Sequence, residues 1–299
     1  MTAAVAETAW ARGRFDARSG PSRLLFGRMH EDAAIELGAF RPGGRVFCIA
    51  SAGCTAMALS ARHEVVAADL NPVQIEYVRR RLAGEPASLG AAERMMALGR
   101  TFGPLLGWRS AQVRAFLDLT DPAEQLDLWR RRFDTRRLRI AMDAALSTSL
   151  LRLFYASDLL RSLPRDFGRV FRGRMERCFA RHPNRDNVHA HALLGGELRD
   201  EPARPGGQRI RLVHADAAAC LESEAPGSFD GFTLSNILDG AGDAYRERLL
   251  AAVRRAAARD ASVVLRSFGE PASATATNRA AEDRSMLWGI VDVRPAAGL

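Results

Sequence analysis

The stretch Val46-Phe47-Cys48-Ile49-Ala50-Ser51-Ala52-Gly53 decides the fold. A short apolar run stops at small residues, and helix-compatible sequence follows. Further on, a second apolar run, Val65-Val66-Ala67-Ala68, ends on Asp69. Strand, small-residue turn, helix, strand and acidic residue, in that order, is how a doubly wound α/β domain holds an adenosine-bearing ligand. The turn gives room, and the carboxylate accepts hydrogen bonds from ribose hydroxyls. Here the turn is Ala50-Ser51-Ala52-Gly53-Cys54, a departure from G-x-G-x-x-G.

Working outward, the pattern predicts strands at Arg45–Ala50, Glu64–Asp69, Ile210–His214, Phe229–Leu234 and Ala261–Arg266, with an antiparallel edge strand at Leu287–Val293. Helices are expected at Thr55–Arg62, Asn71–Leu82 and Tyr245–Ala258. Asn71-Pro72 supplies a helix cap followed by proline at the first helical position. From Ser88 to Leu198 strand signal is scarce. Arginine-rich amphipathic helices dominate there, such as Pro122–Phe133 and Arg136–Tyr155. The expected organisation is an N-terminal helical segment over 1–40, the first part of the α/β domain over 41–84, a helical insertion or lid over 85–204, and the second part over 205–299. The fold class is α/β with a doubly wound, mostly parallel sheet. Ligands bind outside the carboxyl ends of such strands, so the polar strand ends at Ser51, Asp69, Asp216 and Ser235-Asn236 are expected to meet at one crevice.

The chain has 299 residues, is 47% hydrophobic and carries a formal charge of +8. Every basic residue other than histidine is arginine, so Schiff-base and lysine-nucleophile chemistry are excluded. A basic balance also suits nucleic acid or anionic lipid. Arginine on solvated helix faces explains the charge more simply, and no aromatics interleave with the basic runs as base stacking requires. A nucleic-acid-binding protein is thus the distant alternative. The four cysteines form no C-x-x-C pair, His189-Ala190-His191 lacks further ligands, and no metal is expected. No apolar run approaches the roughly 20 residues of a membrane span, and residues 1–15 lack the apolar core of a secretory signal. A reduced, cytoplasmic protein is the expectation.

The turn discriminates among adenosine ligands. Phosphate-bearing cofactors need a glycine-rich loop so that backbone N–H groups approach closely. One glycine and no following Lys-Ser/Thr exclude a P-loop and weaken a dinucleotide site. S-adenosylmethionine (SAM) has no phosphate, and its amino acid arm needs only a small-residue turn. Asp69 would then take the ribose and Asp216 the adenine amino group.

Several motifs in chain order carry a family likeness. They are Phe26-Gly27-Arg28-Met29-His30-Glu31-Asp32, Ile49-Ala50-Ser51-Ala52-Gly53-Cys54, Ala68-Asp69-Leu70-Asn71-Pro72-Val73-Gln74, and Ser228-Phe229-Asp230-Gly231-Phe232-Thr233-Leu234-Ser235-Asn236. Val264-Leu265-Arg266-Ser267 and Asp283-Arg284-Ser285 are weaker matches. Together they resemble the bacterial 3-amino-3-carboxypropyltransferases of betaine-lipid synthesis, which load the four-carbon arm of SAM onto diacylglycerol. The resemblance implies a domain like that of class I SAM-dependent methyltransferases, with SAM as substrate. It implies nucleophilic attack at Cγ of the arm and release of methylthioadenosine. The acceptor is then an external hydroxyl of diacylglycerol type or SAM's own amine, which would close to azetidine-2-carboxylate. A lipid acceptor would place the protein at the periphery of the inner membrane. A small-molecule methyltransferase is the alternative on the same fold.

On this reading Ser51, Ala52 and Gly53 face the arm, and Asp69 with Leu70 takes the ribose. Asn71 and Gln74 touch the nucleoside, Asp216 with Ala217 sits by adenine, and Glu31 and Asp32 meet the α-amino group. Ser235 and Asn236 occupy the catalytic strand end. Tyr77, Phe154 and Tyr155 are candidates to face the sulfonium, although aromatics at helical spacing are more often core. Asp239, His189 and His191 are candidate bases.

Overall fold

The computed structural model describes residues 21–152, 155, 160–198 and 209–299. Six strands form one sheet: β1 (Arg45–Ile49), β2 (Glu64–Asp69), β3 (Ile210–His214), β4 (Phe229–Thr233), β5 (Ala257–Ser267) and β6 (Ile290–Pro295). Their order is β3-β2-β1-β4-β5-β6. The first five run parallel, and β6 pairs antiparallel with β5. This mixed α/β sheet, flanked by helices, is compatible with a Rossmann-like fold. The strand order reverses between β1 and β4, which opens a crevice at their carboxyl ends.

Both faces of the sheet are buried, and the period of two along each strand divides its side chains between them. Phe47, Val66, Ala68 and Val263 pack on one face. Val46, Cys48, Val65, Ala67 and Val264 pack on the other. In chain order the helices are α1 (Ala34–Ala39), α2 (Cys54–Ser60), α3 (Pro72–Leu82), α4 (Ala91–Thr101), α5 (Ser110–Leu117), α6 (Pro122–Leu128), α7 (Arg136–Ala145), α8 (Phe167–Phe179), α9 (Ala217–Ser223) and α10 (Asp243–Ala256), with shorter turns between. Helices α9 and α10 cover the Phe47 face, and α1, α2 and α3 cover the Val46 face.

Between β2 and β3 the described residues contain helices and no strand. They close a separate apolar cluster around Phe116, Trp129, Phe133, Met175 and Phe179. The helix expected over Pro122–Phe133 turns into a wider π-type turn at Trp129–Phe133. The helix expected over Arg136–Tyr155 ends at Ala145, because the Ser147 side chain accepts from Leu150 N–H and caps a new turn, Thr148–Leu151. Phe154 and residues 1–20 lie outside the described residues.

The N-terminal expectation changes at residues 21–33. Among the described residues helix begins at Ala34, and residues 21–33 form a non-helical strap. Its N–H groups are satisfied from outside the segment. Leu25 and Phe26 donate to Gln74 Oε1 at 2.9 and 3.3 Å. Gly27 and Arg28 donate to the Glu93 carboxylate at 2.8 and 3.2 Å. Backbone donors served in this way need no helix. Gly27 is required where the strap crosses the chain before α4, since a Cβ there would lie 1.7 Å from the Ser88 carbonyl oxygen.

Candidate functional site

The carboxyl ends of β1, β2, β3 and β4 surround one crevice with about 850 Å3 of open space, its solvent mouth included. Ser51, Asp69, Leu70, Asn71, Gln74, Asp216, Ala217, Ser235 and Asn236 all line it. Residues from four separate strand ends therefore meet, as the alternation of strand and helix requires.

The turn after β1 takes its shape from two left-handed residues, Ser51 at φ +42° and Gly53 at φ +84°. A Cβ on Gly53 would sit 2.8 Å from Val78 Cγ1, so the close approach of α3 reserves this position for glycine. Ser51 reaches the crevice, but Ala52 and Gly53 do not form its wall. Ala52 is buried behind it against Met29 and Tyr77.

Asp69 sits at the end of β2. Its Oδ2 accepts from Ser51 N–H at 2.9 Å and its Oδ1 from Asn71 N–H at 2.8 Å. A carboxylate has about four acceptor positions, so capacity remains for a ligand hydroxyl. Burial pushes this carboxyl up to about 6, against the lowering effect of the Asn71, Ser51 and Leu70 N–H groups.

Asn71 and Gln74 serve the protein itself. Asn71 Oδ1 caps α3 by accepting from Val73 N–H at 3.0 Å, and its Nδ2 donates to the Arg23 carbonyl at 2.7 Å. Gln74 accepts from Leu25 and Phe26 N–H and donates at 2.8 Å to the carbonyls of both Phe26 and Ser51. Its hydrogen-bonding capacity is fully occupied in tying the strap to the turn. The strap thereby brings into the crevice wall Phe26, the first residue of the Phe26–Asp32 motif, and Leu25, which the sequence did not mark.

Asp216 caps α9 through Oδ2, which accepts from Ala219 N–H at 3.0 Å. The same carboxylate accepts from Tyr245 Oη at 2.5 Å and pairs with Arg248 at 3.2 Å. Tyr245 also lines the crevice. Nothing in the sequence distinguished it from other residues at the start of a helix.

At the end of β4, Ser235 adopts φ +52° and Asn236 follows on the crevice wall. Asn236 Nδ2 donates to Asp239 Oδ2 at 3.3 Å. Asp239 itself is not in the wall. It accepts from Ser267 Oγ at 2.7 Å and from Phe268 N–H at 3.0 Å, and burial raises its carboxyl. Its geometry fits holding Asn236 better than removing a substrate proton.

Behind Ser235 lies a buried charge cluster. The Ser235 hydroxyl donates to Glu31 Oε1. Arg266 pairs with Glu36 and, at 3.3 Å, with Asp283, and its Nη1 lies 3.5 Å from Glu31 Oε2. Arg266 is held charged by Glu36 and Glu31 despite complete burial. Glu31 is pushed up to about 7 by burial, which exceeds the lowering effect of Arg266. Asp32 differs: burial acts to raise it, but a two-pronged contact with Arg284, 2.6 Å on each oxygen, holds it at about 2. Asp32 is thereby committed to Arg284, whereas Glu31 faces the crevice through Ser235.

The remaining candidates lie elsewhere. Tyr77 is buried under the strap, donating to the Gly27 carbonyl at 2.7 Å. Tyr155 belongs to an apolar cluster with Leu151, Leu160 and Phe167 and contacts Met95 Sδ at 3.3 Å. Burial raises its phenol to about 12. His191 contacts the Arg185 carbonyl at 3.2 Å. His189 is buried near Asp32 and Arg28, and burial keeps it neutral. None of the four lines the crevice. Among the described residues no group of three His, Cys, Asp or Glu side chains could hold a metal ion, and no helix is long and apolar enough to cross a membrane.

No family model and no curated protein matches this chain.

Proposed function

We propose that the protein binds SAM in this crevice and lets a nucleophile displace methylthioadenosine from Cγ of the amino acid arm. The observation that carries the reading is the convergence of Ser51, Asp69, Asp216, Ser235 and Asn236 on one crevice beside a turn with a single glycine. Asp69, with acceptor capacity left on its carboxylate, suits the ribose hydroxyls. Leu70, Ala217 and Ile237 offer apolar contacts for adenine beside the Asp216 carboxylate. The arm then extends past Ser51 towards Ser235 and Asn236. The antiparallel sixth strand at the edge of a parallel sheet supports reading the domain as methyltransferase-like.

Attack at Cγ instead of the methyl group is supported by the motif likeness across the strap, the turn and the end of β4. Displacement must run in line with the departing sulfur, so the choice of carbon is a matter of how the arm is held. The strap favours an internal nucleophile. Leu25 and Phe26 lie in the crevice wall, and Gln74 fixes them to the turn that would hold the arm. A crevice whose wall is fixed in this way suits SAM's own amine, closing azetidine-2-carboxylate, better than a diacylglycerol hydroxyl.

Carbon-13 at Cγ of SAM tests the reading. Incubation with SAM alone is expected to move the label into azetidine-2-carboxylate. Label found only in a lipid ether after diacylglycerol is added would assign the external acceptor. Label retained in S-adenosylhomocysteine would reject attack at Cγ.

A further inference from the structure

We infer that Glu31, acting through the Ser235 hydroxyl, accepts the proton of the group that attacks SAM; this rests on reading the crevice as a SAM site. Ser235 is in the crevice wall, and its hydroxyl donates to Glu31 Oε1 directly behind it. The serine is held for this contact in a left-handed conformation, φ +52°, that side chains other than glycine rarely adopt. Arg266 backbone N–H fixes the same residue by donating to its carbonyl at 2.8 Å. Backbone strain at a crevice wall, kept in place by two buried groups, is expected where a side chain must be aimed.

The environment of Glu31 suits an acceptor. Glu36 on α1, Asp283 in the loop before β6, Cys48 on β1 and Arg266 on β5 are the titratable and charged groups around it. Arg266 makes its hydrogen bonds to Glu36, Asp283 and the Asp32 carbonyl, and only its 3.5 Å approach is left for Glu31. Glu31 Oε2 is buried without a hydrogen-bond partner. Of the three carboxylates around one guanidinium, Glu31 is therefore the least stabilised as an anion. Its carboxyl at about 7 can hold or release a proton at neutral pH, as an efficient general base must.

The step balances as follows. The lone pair of the attacking amine or hydroxyl forms the bond to Cγ. The Cγ–S bond breaks, and its electron pair neutralises the sulfonium to give methylthioadenosine. The proton of the nucleophile passes to Ser235 Oγ as the serine proton passes to Glu31, which later returns it to solvent. Glu31 touches Ser235 and not the substrate, so it is a positioning and proton-holding residue.

Two variants test the relay. Glu31→Gln keeps an oxygen for the Ser235 hydroxyl but cannot take its proton. Ser235→Gly removes the hydroxyl and suits φ +52°, so it is expected to fold at least as well as the parent. Both should lower the single-turnover rate at least about 100-fold while calorimetric SAM affinity stays within about threefold. In Glu31→Gln the acid limb of kcat/KM near pH 7 should vanish, leaving the lower limb from Asp69. A parental single-turnover rate in folded Ser235→Gly, or an unchanged acid limb in Glu31→Gln, overturns the relay. If the parent protein itself releases no methylthioadenosine from SAM, the underlying reading fails instead.

Discussion

Gln74 and Phe26 are joined through two groups of one side chain. Phe26 N–H donates to Gln74 Oε1 at 3.3 Å, and Gln74 Nε2 donates to the Phe26 carbonyl at 2.8 Å. The same Nε2 reaches the Ser51 carbonyl at 2.8 Å, so one amide locks the strap to the turn. Gln74→Ala leaves the N–H groups of Leu25 and Phe26 without their acceptor. Each lost buried partner costs about 1–3 kcal/mol. The expected result is a lower denaturation midpoint and SAM affinity weakened by about tenfold. Parental values for both, by chemical denaturation and calorimetry, would remove the strap from the account of binding.

SAM affinity should depend on pH through Asp69. Its carboxyl is raised to about 6 by burial, and the ionised form is the better acceptor for ribose hydroxyls. Affinity is therefore fully present above about pH 7 and falls as pH drops through 6. Asp69→Asn should bind more weakly and flatten the dependence. A calorimetric series from pH 5 to 8 checks this; a flat profile in the parent would place the ribose elsewhere.

Gly53→Ala should destabilise the protein by about 1–3 kcal/mol, from the positive φ and the clash together. The new methyl would meet Val78 Cγ1 at 2.8 Å. Adding Val78→Ala should recover part of the loss by removing that contact. Thermal unfolding of both variants measures it, and an unaffected single variant would contradict the tight turn described here.

Arg266→Met should be strongly destabilising, by about 3–5 kcal/mol, because Glu36, Asp283 and Glu31 lose the cation they share. The loss should be smaller at pH 5 than at pH 8. Burial already raises the Glu31 and Asp283 carboxyls, and removing the guanidinium that lowers them raises both further, so each binds its proton more tightly in the folded state. Such groups favour the fold at low pH and oppose it as pH rises through their folded values. Equal losses at both pH values would mean that packing, not charge, sets the cost.

The sheet was legible because its signals are local. Short apolar runs between turn residues placed β1 to β4 to within a residue or two, and Asn71-Pro72 announced the start of α3. The residues lining the crevice at Ser51, Asp69, Asp216 and Ser235 followed from strand ends alone. What failed to show was long-range pairing. Glu36 and Arg266 meet across 230 positions, and Gln74, expected at the nucleoside, gave no sign of its partners on the strap. The strap misled for the same reason. Its composition allows helix, but acceptors on α3 and α4 take its N–H groups and hold it non-helical. Asp239 and Tyr155 have suitable chemistry, yet their side chains are committed outside the crevice.

The most direct measurement is the nucleoside left after the purified protein turns over SAM with no added acceptor. Mass spectrometry is expected to find methylthioadenosine, accumulating in step with azetidine-2-carboxylate. S-adenosylhomocysteine as the sole nucleoside product would contradict attack at Cγ and return the crevice to methyl transfer.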